Sequence, residues 1–432
     1  MRETSIPAPA GPGADHRGGQ PLTVAARPRF SHAFEAPGYG WLWVNSLCSS
    51  TTQTVDLLSQ GWLILILTQS PLWVGLAAGV RGASQCLFSL AGGALADYLP
   101  RRSLLLGTQA ASAAIAFALA FLVLAHRIEL WHVLLYAAVA GFTFALGKPA
   151  TNGLVYDVVG EQRLLNANAF QFMAGSIVRI LGALTGGAVI ARLGVGQNYV
   201  VIGTAYAIGI GTLLALKSPR PLRRSTEPLA AAVREGFRYA AQTPSVRGLL
   251  GLSLAIEAFG FSYQYMLPVL ARDVLKVGAL GLGELSAAGG VGQLLATLRV
   301  AARGDVPHKG TIMVASAFGF GAGVMLLGLS PWFPASLALI AAVGFAGSTY
   351  DATMSTVLQV SAREQMRGRV LGLYYATFGL NQLGALGIGA LAAALGLPVA
   401  LAIAGALLPV CALGLMPSLH AFNEPRDDGE RS

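Results

Sequence analysis

From about residue 40 to residue 417 the chain alternates long apolar runs with short polar breaks. The runs predict twelve membrane spans, at 40–67, 72–96, 102–124, 130–155, 168–191, 197–216, 247–270, 280–301, 310–330, 335–359, 370–394 and 397–417. Each is near the roughly 20 residues a helix needs to cross the hydrocarbon with its backbone satisfied internally. Most breaks are too short to hold a soluble domain, so consecutive helices must pack as antiparallel neighbours. One break is long. Residues 217–246, KSPRPLRRSTEPLAAAVREGFRYAAQTPSV, separate two sets of six spans. Within it, Leu229 to Ala241 predicts an amphipathic helix with Leu229, Val233, Phe237 and Ala240 on one face. That helix either lies against the inner leaflet or is a solvated linker. The expected domains are a disordered cytoplasmic tail (1–38), a six-helix bundle (39–216), a cytoplasmic linker (217–246), a second six-helix bundle (247–417) and a cytoplasmic tail (418–432).

The two sets of spans repeat each other. Gly141 and Phe142 are followed after eighteen residues by Glu161 and Gln162, and Gly344 and Phe345 are followed after eighteen by Glu364 and Gln365. The offset is 203. Leu181 to Gly194, LGALTGGAVIARLG, and Leu383 to Gly396, LGALGIGALAAALG, share nine identities in fourteen with a one-residue slip. The fold class expected is an all-α membrane protein whose twelve transmembrane helices form two pseudo-symmetric six-helix bundles. Paired half-proteins of this kind are built for alternating access.

Composition adds topology. The chain is 54% apolar and 11% charged, with a net charge of +9. Of its 29 Lys and Arg, 21 fall in the N-terminal tail, the even-numbered loops and the C-terminal tail, whereas Arg127, Arg192, Arg272 and Lys276 lie on the opposite side. The positive-inside rule then puts both termini in the cytoplasm and the chain in the cytoplasmic (inner) membrane as a multi-pass protein. No basic patch is interleaved with aromatics, so nucleic acid is not an expected partner; a small-molecule substrate and the lipid bilayer are, for a monomer. Cys48, Cys86 and Cys411 fall within spans and report no redox compartment. The first 38 residues lack the apolar core of a signal peptide.

The loop after the second span reads Gly93-Ala-Leu-Ala-Asp97-Tyr-Leu-Pro-Arg101-Arg102. It resembles the signature loop of the major facilitator superfamily, G-x-x-x-D-R-x-G-R-R/K. Gly93, Asp97, Arg101 and Arg102 match; Tyr98 replaces the usual Arg and Pro100 the usual Gly. The resemblance implies the major facilitator fold and a cytoplasmic gate role for Asp97 and the Arg pair. In the fifth span, Gly182-Ala-Leu-Thr-Gly186-Gly187 resembles the G-P-x-x-G-G core found in that superfamily's exporters, with Ala183 in place of Pro. It implies a hinge or tight seal; the same small residues also suit ordinary helix packing. Pro149-Ala150, Glu161 to Ala167 (EQRLLNA), Arg179, and Arg367-Gly368-Arg369-Val370 are similar to the branch that contains the enterobactin exporter and macrolide-efflux proteins. That resemblance runs from about Phe34 to Leu415 and says little about cargo.

Charges inside the spans are the candidate chemistry. Asp56, Lys148, Glu257 and Asp351 fall in spans one, four, seven and ten, which line the central cavity in the fold the resemblance implies. An intramembrane charge costs about 2.5–3.5 kcal/mol or more, so each needs water or a partner. Arg81 reaches a depth similar to Asp56, and the two can pair. A fixed ion pair locking helices together is one reading of Asp56 with Arg81, and such a structural role is also one reading of Arg179. Glu257 and Asp351 are expected to exchange protons, since burial disfavours the charged carboxylate. Lys148 either attracts an anionic substrate or neutralises Asp351. Aromatics in spans four, seven, ten and eleven either pack the core or meet cargo.

No enzyme is expected. Gly141 to Lys148 has the wrong spacing for a phosphate loop and is followed by Pro149; the six His show no metal-ligand spacing, and no nucleophile adjoins a base. No metal and no cofactor is expected, the proton gradient being the energy source. The expected function is export of a small amphipathic molecule (drug, siderophore or secondary metabolite) by proton-coupled antiport. The alternatives are a proton-coupled uptake symporter, or a non-transporting membrane receptor or scaffold with the same fold.

Overall fold

Once the apolar runs close into helices, every backbone group in the hydrocarbon is paired along its own rod. A computed structural model describes residues 32–217, 229–303, 309–363 and 366–419. The first six crossings are α1 (Tyr39–Thr68), α2 (Pro71–Tyr98), α3 (Arg101–Leu124), α4 (Leu130–Val159), α5 (Glu161–Leu193) and α6 (Val195–Ala215). A short helix, α7 (Leu229–Gln242), precedes the second set. Span seven is broken into α8 (Pro244–Ala255), a π-helical turn Ile256–Phe261, α9 (Tyr263–Val269) and a second π-turn Leu270–Val274. Then come α10 (Gly278–Arg303), α11 (Lys309–Leu329), α12 (Phe333–Ser361), a span eleven broken into α13 (Arg367–Thr377) and α14 (Leu380–Leu395), and α15 (Leu397–Leu419). Among the described residues eight helical stretches are long and apolar enough to cross a membrane by themselves. The remaining four crossings are α1, rich in Ser, Thr and Gln, together with α2, α10 and the segmented span seven.

The sequence repeat is a repeat in space. Within the first half α2 packs on α4, α3 on α4 and α6, and α1 on α6; in the second, α10 packs on α12, α11 on α12 and α15, and α8 on α15. Gly141 and Gly344, equivalent at the 203 offset, do the same job: a Cβ on Gly141 would come 2.2 Å from the Arg81 carbonyl oxygen, and one on Gly344 2.3 Å from that of Gly289. Gly194 and Gly396, the last residues of the second match, turn the chain at φ 90° and 84°, a conformation costly for any residue with a Cβ.

The halves meet along α2 with α14, α5 with α10, and α1 with α9. These contacts favour the end of the molecule opposite the termini. There, a Cβ on Gly75 would lie 2.5 Å from the Ala385 oxygen and one on Gly187 2.7 Å from Gly283 Cα. Toward the termini, α8 and α13 make their main contacts within their own half and with α7. Across the halves at this end, the elements α8 and α13 make no substantial contact with the first half among the described residues, and only α7 touches α2. The structure is sealed at one end and open at the end that carries the termini.

Two expectations change. Residues 32–38 belong to the expected disordered tail, but a short 3-10 helix, His32–Glu35, docks on α5: Ala33 is buried, its N–H donates to Asn166 Oδ1 at 2.8 Å, and Phe34 meets the rings of Tyr39, Trp43 and Phe170. Residues 1–31 of the expected tail, 218–228 of the linker and 420–432 lie outside the described residues. In α7, the expected face from Leu229 to Ala240 is not one buried stripe. Ala240 is buried, yet Phe237 is 61% exposed. Helix α7 is held to its own half by polar contacts, Glu235 pairing with Arg369 and the Tyr239 hydroxyl accepting the Arg363 N–H at 3.2 Å. The side chains of Leu229 and Val233 lie outside the described residues.

Candidate functional site

Three buried polar residues of α1, Asn45, Asp56 and Ser59, are answered by neighbouring helices. Asp56, 3% exposed, is paired with Arg81 of α2 and accepts the Tyr136 hydroxyl of α4 at 2.8 Å. Asn45 and Gln109 of α3 exchange hydrogen bonds at 3.3 and 3.2 Å, and Asn45 also reaches the Gly209 carbonyl at 3.0 Å. Asn198 of α6 donates to Ser59 at 2.9 Å. A buried charge that is paired and hydrogen-bonded holds helices together, because losing either partner would strand the other.

The second half is built differently. Glu257 lies in the first π-turn and is 3% exposed, and among the described residues its carboxylate has no hydrogen-bond or ion-pair partner. A π-turn inserts one extra residue and frees backbone groups, a geometry frequent at functional sites. Here the Ser262 hydroxyl, with one proton to give, lies 2.7 Å from the Ala258 carbonyl of the turn and 2.6 Å from the Asn381 carbonyl of α14. Helix α14 presses on the turn so closely that a Cβ on Gly384 would fall 1.9 Å from the Ala258 oxygen. The break in span seven therefore abuts the break in span eleven.

Asp351 of α12 is half-buried and accepts the Tyr374 hydroxyl of α13 at 3.3 Å. Glu257 lies within its electrostatic reach. Its cationic neighbour is Arg179, from α5 of the other half, whose stem passes Gly290 of α10 and which also faces Tyr263 and Tyr265. The charge placed opposite Asp351 by the repeat, Lys148, is exposed and does not pair with it. Equal offsets place residues at equal depth in the two halves, but rotation about the helix axis decides which ones meet. Among the described residues Arg179 and Lys148 have no ion pair.

The gate and hinge motifs divide on inspection. Arg101 donates to the Gly153 carbonyl at 2.9 Å and to Asp157 at 2.7 Å, and Arg102 to the Leu213 and Leu214 carbonyls at 2.7 and 3.0 Å. Both contacts are within the first half, so in this open-ended state the Arg pair fastens α3 to α4 and α6 rather than joining the halves. The side chain of Asp97 lies outside the described residues, as does any side-chain environment at Gly93. Gly182 and Gly186 face Thr54 and Leu58 of α1 at ordinary contact distance, whereas Gly187 alone of the three meets α10.

Two site residues are not marked by the sequence: Tyr136, which caps Asp56, is 80 residues from it, and Asp157 is 56 residues from Arg101. Tyr374 belongs to the expected aromatics of span eleven, but its bond to Asp351, 23 residues away, is not marked either. A buried tyrosine one helix away leaves no spacing signal. The aromatics split as packing requires: Tyr350 and Tyr374 are buried, Phe261 packs on Phe320 at 4.8 Å, and Phe259 and Tyr375 are exposed. No group of His, Cys, Asp and Glu able to hold a metal exists among the described residues.

Paired six-helix halves, a seam of small residues and a charged midline open to one side define a multi-pass membrane transporter. The particular family follows from comparison: residues 31–428 match the transmembrane secretion effector family of the major facilitator superfamily, and the chain belongs to it. It is 27% identical to the enterobactin exporter EntS of Shigella flexneri over 317 residues, 72% of this chain and 74% of that one. The enterobactin exporter EntS of Escherichia coli O127:H6 is likewise 27% identical, over 72% of this chain and 75% of its own. Among solved structures, a bacterial homologue of the human lysosomal transporter Spinster, in an inward-facing and unoccupied conformation, superimposes with a TM-score of 0.72 at 15% identity, covering 90% of this chain and 98% of that one. The nucleoside transporter NupG gives 0.67 at 14% identity, over 88% and 99%. These likenesses show the fold: twelve helices of the major facilitator type. The chain is a transporter and not an enzyme.

Proposed function

We propose that this transporter exports a small amphipathic molecule by alternating access, exchanging it for protons, with Glu257 and Asp351 as the groups that bind and release them. The observation that carries the reading is the contrast in partners. Asp56 is held by a cation and a phenol, while among the described residues Glu257 is buried with neither and Asp351 has one tyrosine and a cation that belongs to the other half. A carboxylate without a fixed partner changes its charge most readily when the cavity turns from one side to the other. Arg179 supplies a countercharge that rides on the opposite half and so meets Asp351 only when the halves are suitably apposed. Lys148 and Arg179 are both exposed and contribute positive charge to cargo handling.

The distribution of Lys and Arg supports cytoplasmic termini, which makes the open end the inner one and the state inward-facing. The relatives are named for enterobactin, and enterobactin is the first cargo to test. The purified chain would be reconstituted into proteoliposomes with a trapped pH-sensitive dye, and proton movement followed on addition of enterobactin. Coupled counter-movement is expected in the parent. Glu257→Gln and Asp351→Asn should each lower coupled transport by about two orders of magnitude, the scale on which a positioned proton-transfer group acts. Unchanged exchange in both variants removes these carboxylates from the mechanism, and proton movement in the same direction as cargo makes the protein a symporter.

A further inference from the structure

Span seven contains two π-turns, and each carries a charged residue of consequence. The first holds Glu257; the second, Leu270–Val274, holds Arg272 and Asp273. By sequence, Arg272 is one of four basic residues on the side opposite the termini. Asp273 grips its guanidinium from the same half, with Nε 2.6 Å from Oδ1 and one terminal nitrogen 3.1 Å from Oδ2. The remaining terminal nitrogen crosses to the other half. It donates to the Leu65 carbonyl at 2.7 Å and to Gln69 Oε1 at 2.9 Å.

Those acceptors form the C-terminal end of α1. Gln69 closes that helix in the left-handed region at φ 54°, and its own N–H is bonded to the same Leu65 carbonyl at 3.0 Å. A helix C-terminus is partially negative and attracts a guanidinium. The other close approaches at this end, Gly75 on α14 and Gly187 on α10, are contacts of small residues. Those are tight but not directional; among the described residues, Arg272 is the side chain whose hydrogen bonds tie the end of α1 to the second half. Just beneath it, Gln60, Ile64, Val74, Ala78 and Tyr265 line a small cavity between α1, α2 and α9.

We propose that Arg272, oriented by Asp273, is a gating residue of transport: it latches α1 shut at the end opposite the termini, and rearrangement of the π-turn at Glu257 releases it. Converting a π-turn to an α-turn re-phases everything beyond it by about 100°. Glu257 and Arg272 are fifteen residues apart on one rod, or about 22 Å. A change at Glu257 thus turns Arg272 off acceptors that belong to a different helix. The route through Glu257 rests on the antiport reading; the latch itself does not.

The test uses the full chain with Cys48, Cys86 and Cys411 replaced and Ala78→Cys introduced below the latch. A membrane-impermeant maleimide is applied to the face opposite the termini in oriented vesicles. Arg272→Gln should raise the labelling rate about tenfold, as expected from losing charge-assisted hydrogen bonds. Gln69→Ala, a conservative cut on the exposed side of the contact, should raise it about threefold. Asp273→Asn should fall between the parent and Arg272→Gln. Labelling at the parent rate in both Arg272→Gln and Gln69→Ala overturns the latch. Glu257→Gln should raise labelling when Arg272 is present and add nothing to Arg272→Gln; additive effects overturn the route through the π-turn. Proton exchange is read separately in the dye assay, so loss of the antiport reading with a tenfold Arg272→Gln effect intact would sink the function and spare the latch.

Discussion

Asp56 and Glu257 lie in equivalent spans of the two halves, both 3% exposed, and live in opposite surroundings. Asp56 is bound by Arg81 and Tyr136 in an unbroken helix, where Asn45 and Ser59 are also hydrogen-bonded to neighbouring helices. Glu257 stands in a π-turn, its side chain without a hydrogen-bond or ion-pair partner among the described residues, against a second broken helix. The first arrangement spends its charge on cohesion and the second keeps it available. On the proposed antiport reading the two repeated halves divide the labour, one serving as frame and the other holding the groups that change state.

The sharpest way to break this contrast is Arg81→Met. Stranding the Asp56 carboxylate should cost about 3–5 kcal/mol, read as a fall in the thermal unfolding midpoint of the detergent-solubilised protein, and adding Asp56→Leu should recover most of it. A double variant as unstable as the single would deny that the pair is structural. Next in size is the seam. Gly187→Ala forces a Cβ into the Gly283 backbone and should disfavour the sealed end by about 1–3 kcal/mol. Spin-label distances across α5 and α10 should then broaden, whereas Gly186→Ala, with ordinary contact room at Leu58, should leave them unchanged. Glu257→Gln should leave the unfolding midpoint at or above the parent's, within about 1 kcal/mol, because it removes a buried ionisable group that lacks a partner. A large loss there would make Glu257 another cohesive charge and erase the contrast. Smallest is Arg101→Lys: a cation stays beside the buried Asp157 carboxylate while the hydrogen bond to the Gly153 carbonyl is lost, so stability should move by no more than about 1 kcal/mol.

The spans, the repeat and the level of each charge were legible because they are properties of depth, and depth is linear in residue number. The match of Gly141 with Gly344 became a shared contact for the same reason. What was hidden depends on rotation and on state. The 203 offset set Lys148 against Asp351, yet the facing cation is Arg179, since the azimuth of a side chain accumulates over every turn before it. The π-turns left no mark in the apolar pattern of span seven, although they decide where Glu257 and Arg272 point. The Arg101 and Arg102 contacts reflect a molecule parted at the terminal-bearing end, and no sequence states which of two conformations is occupied.

The polar ladder of α1 has a consequence for how this lineage can change. Asn45, Asp56 and Ser59 are each locked to a group on α2, α3, α4 or α6. Replacing one alone orphans its mate, so drift there must proceed by matched exchanges on separate helices. Among the described residues the Glu257 side chain has no such mate, and single substitutions are free to be tried. Novelty in what the protein carries should therefore accumulate in the second half, with the first inherited almost as a block.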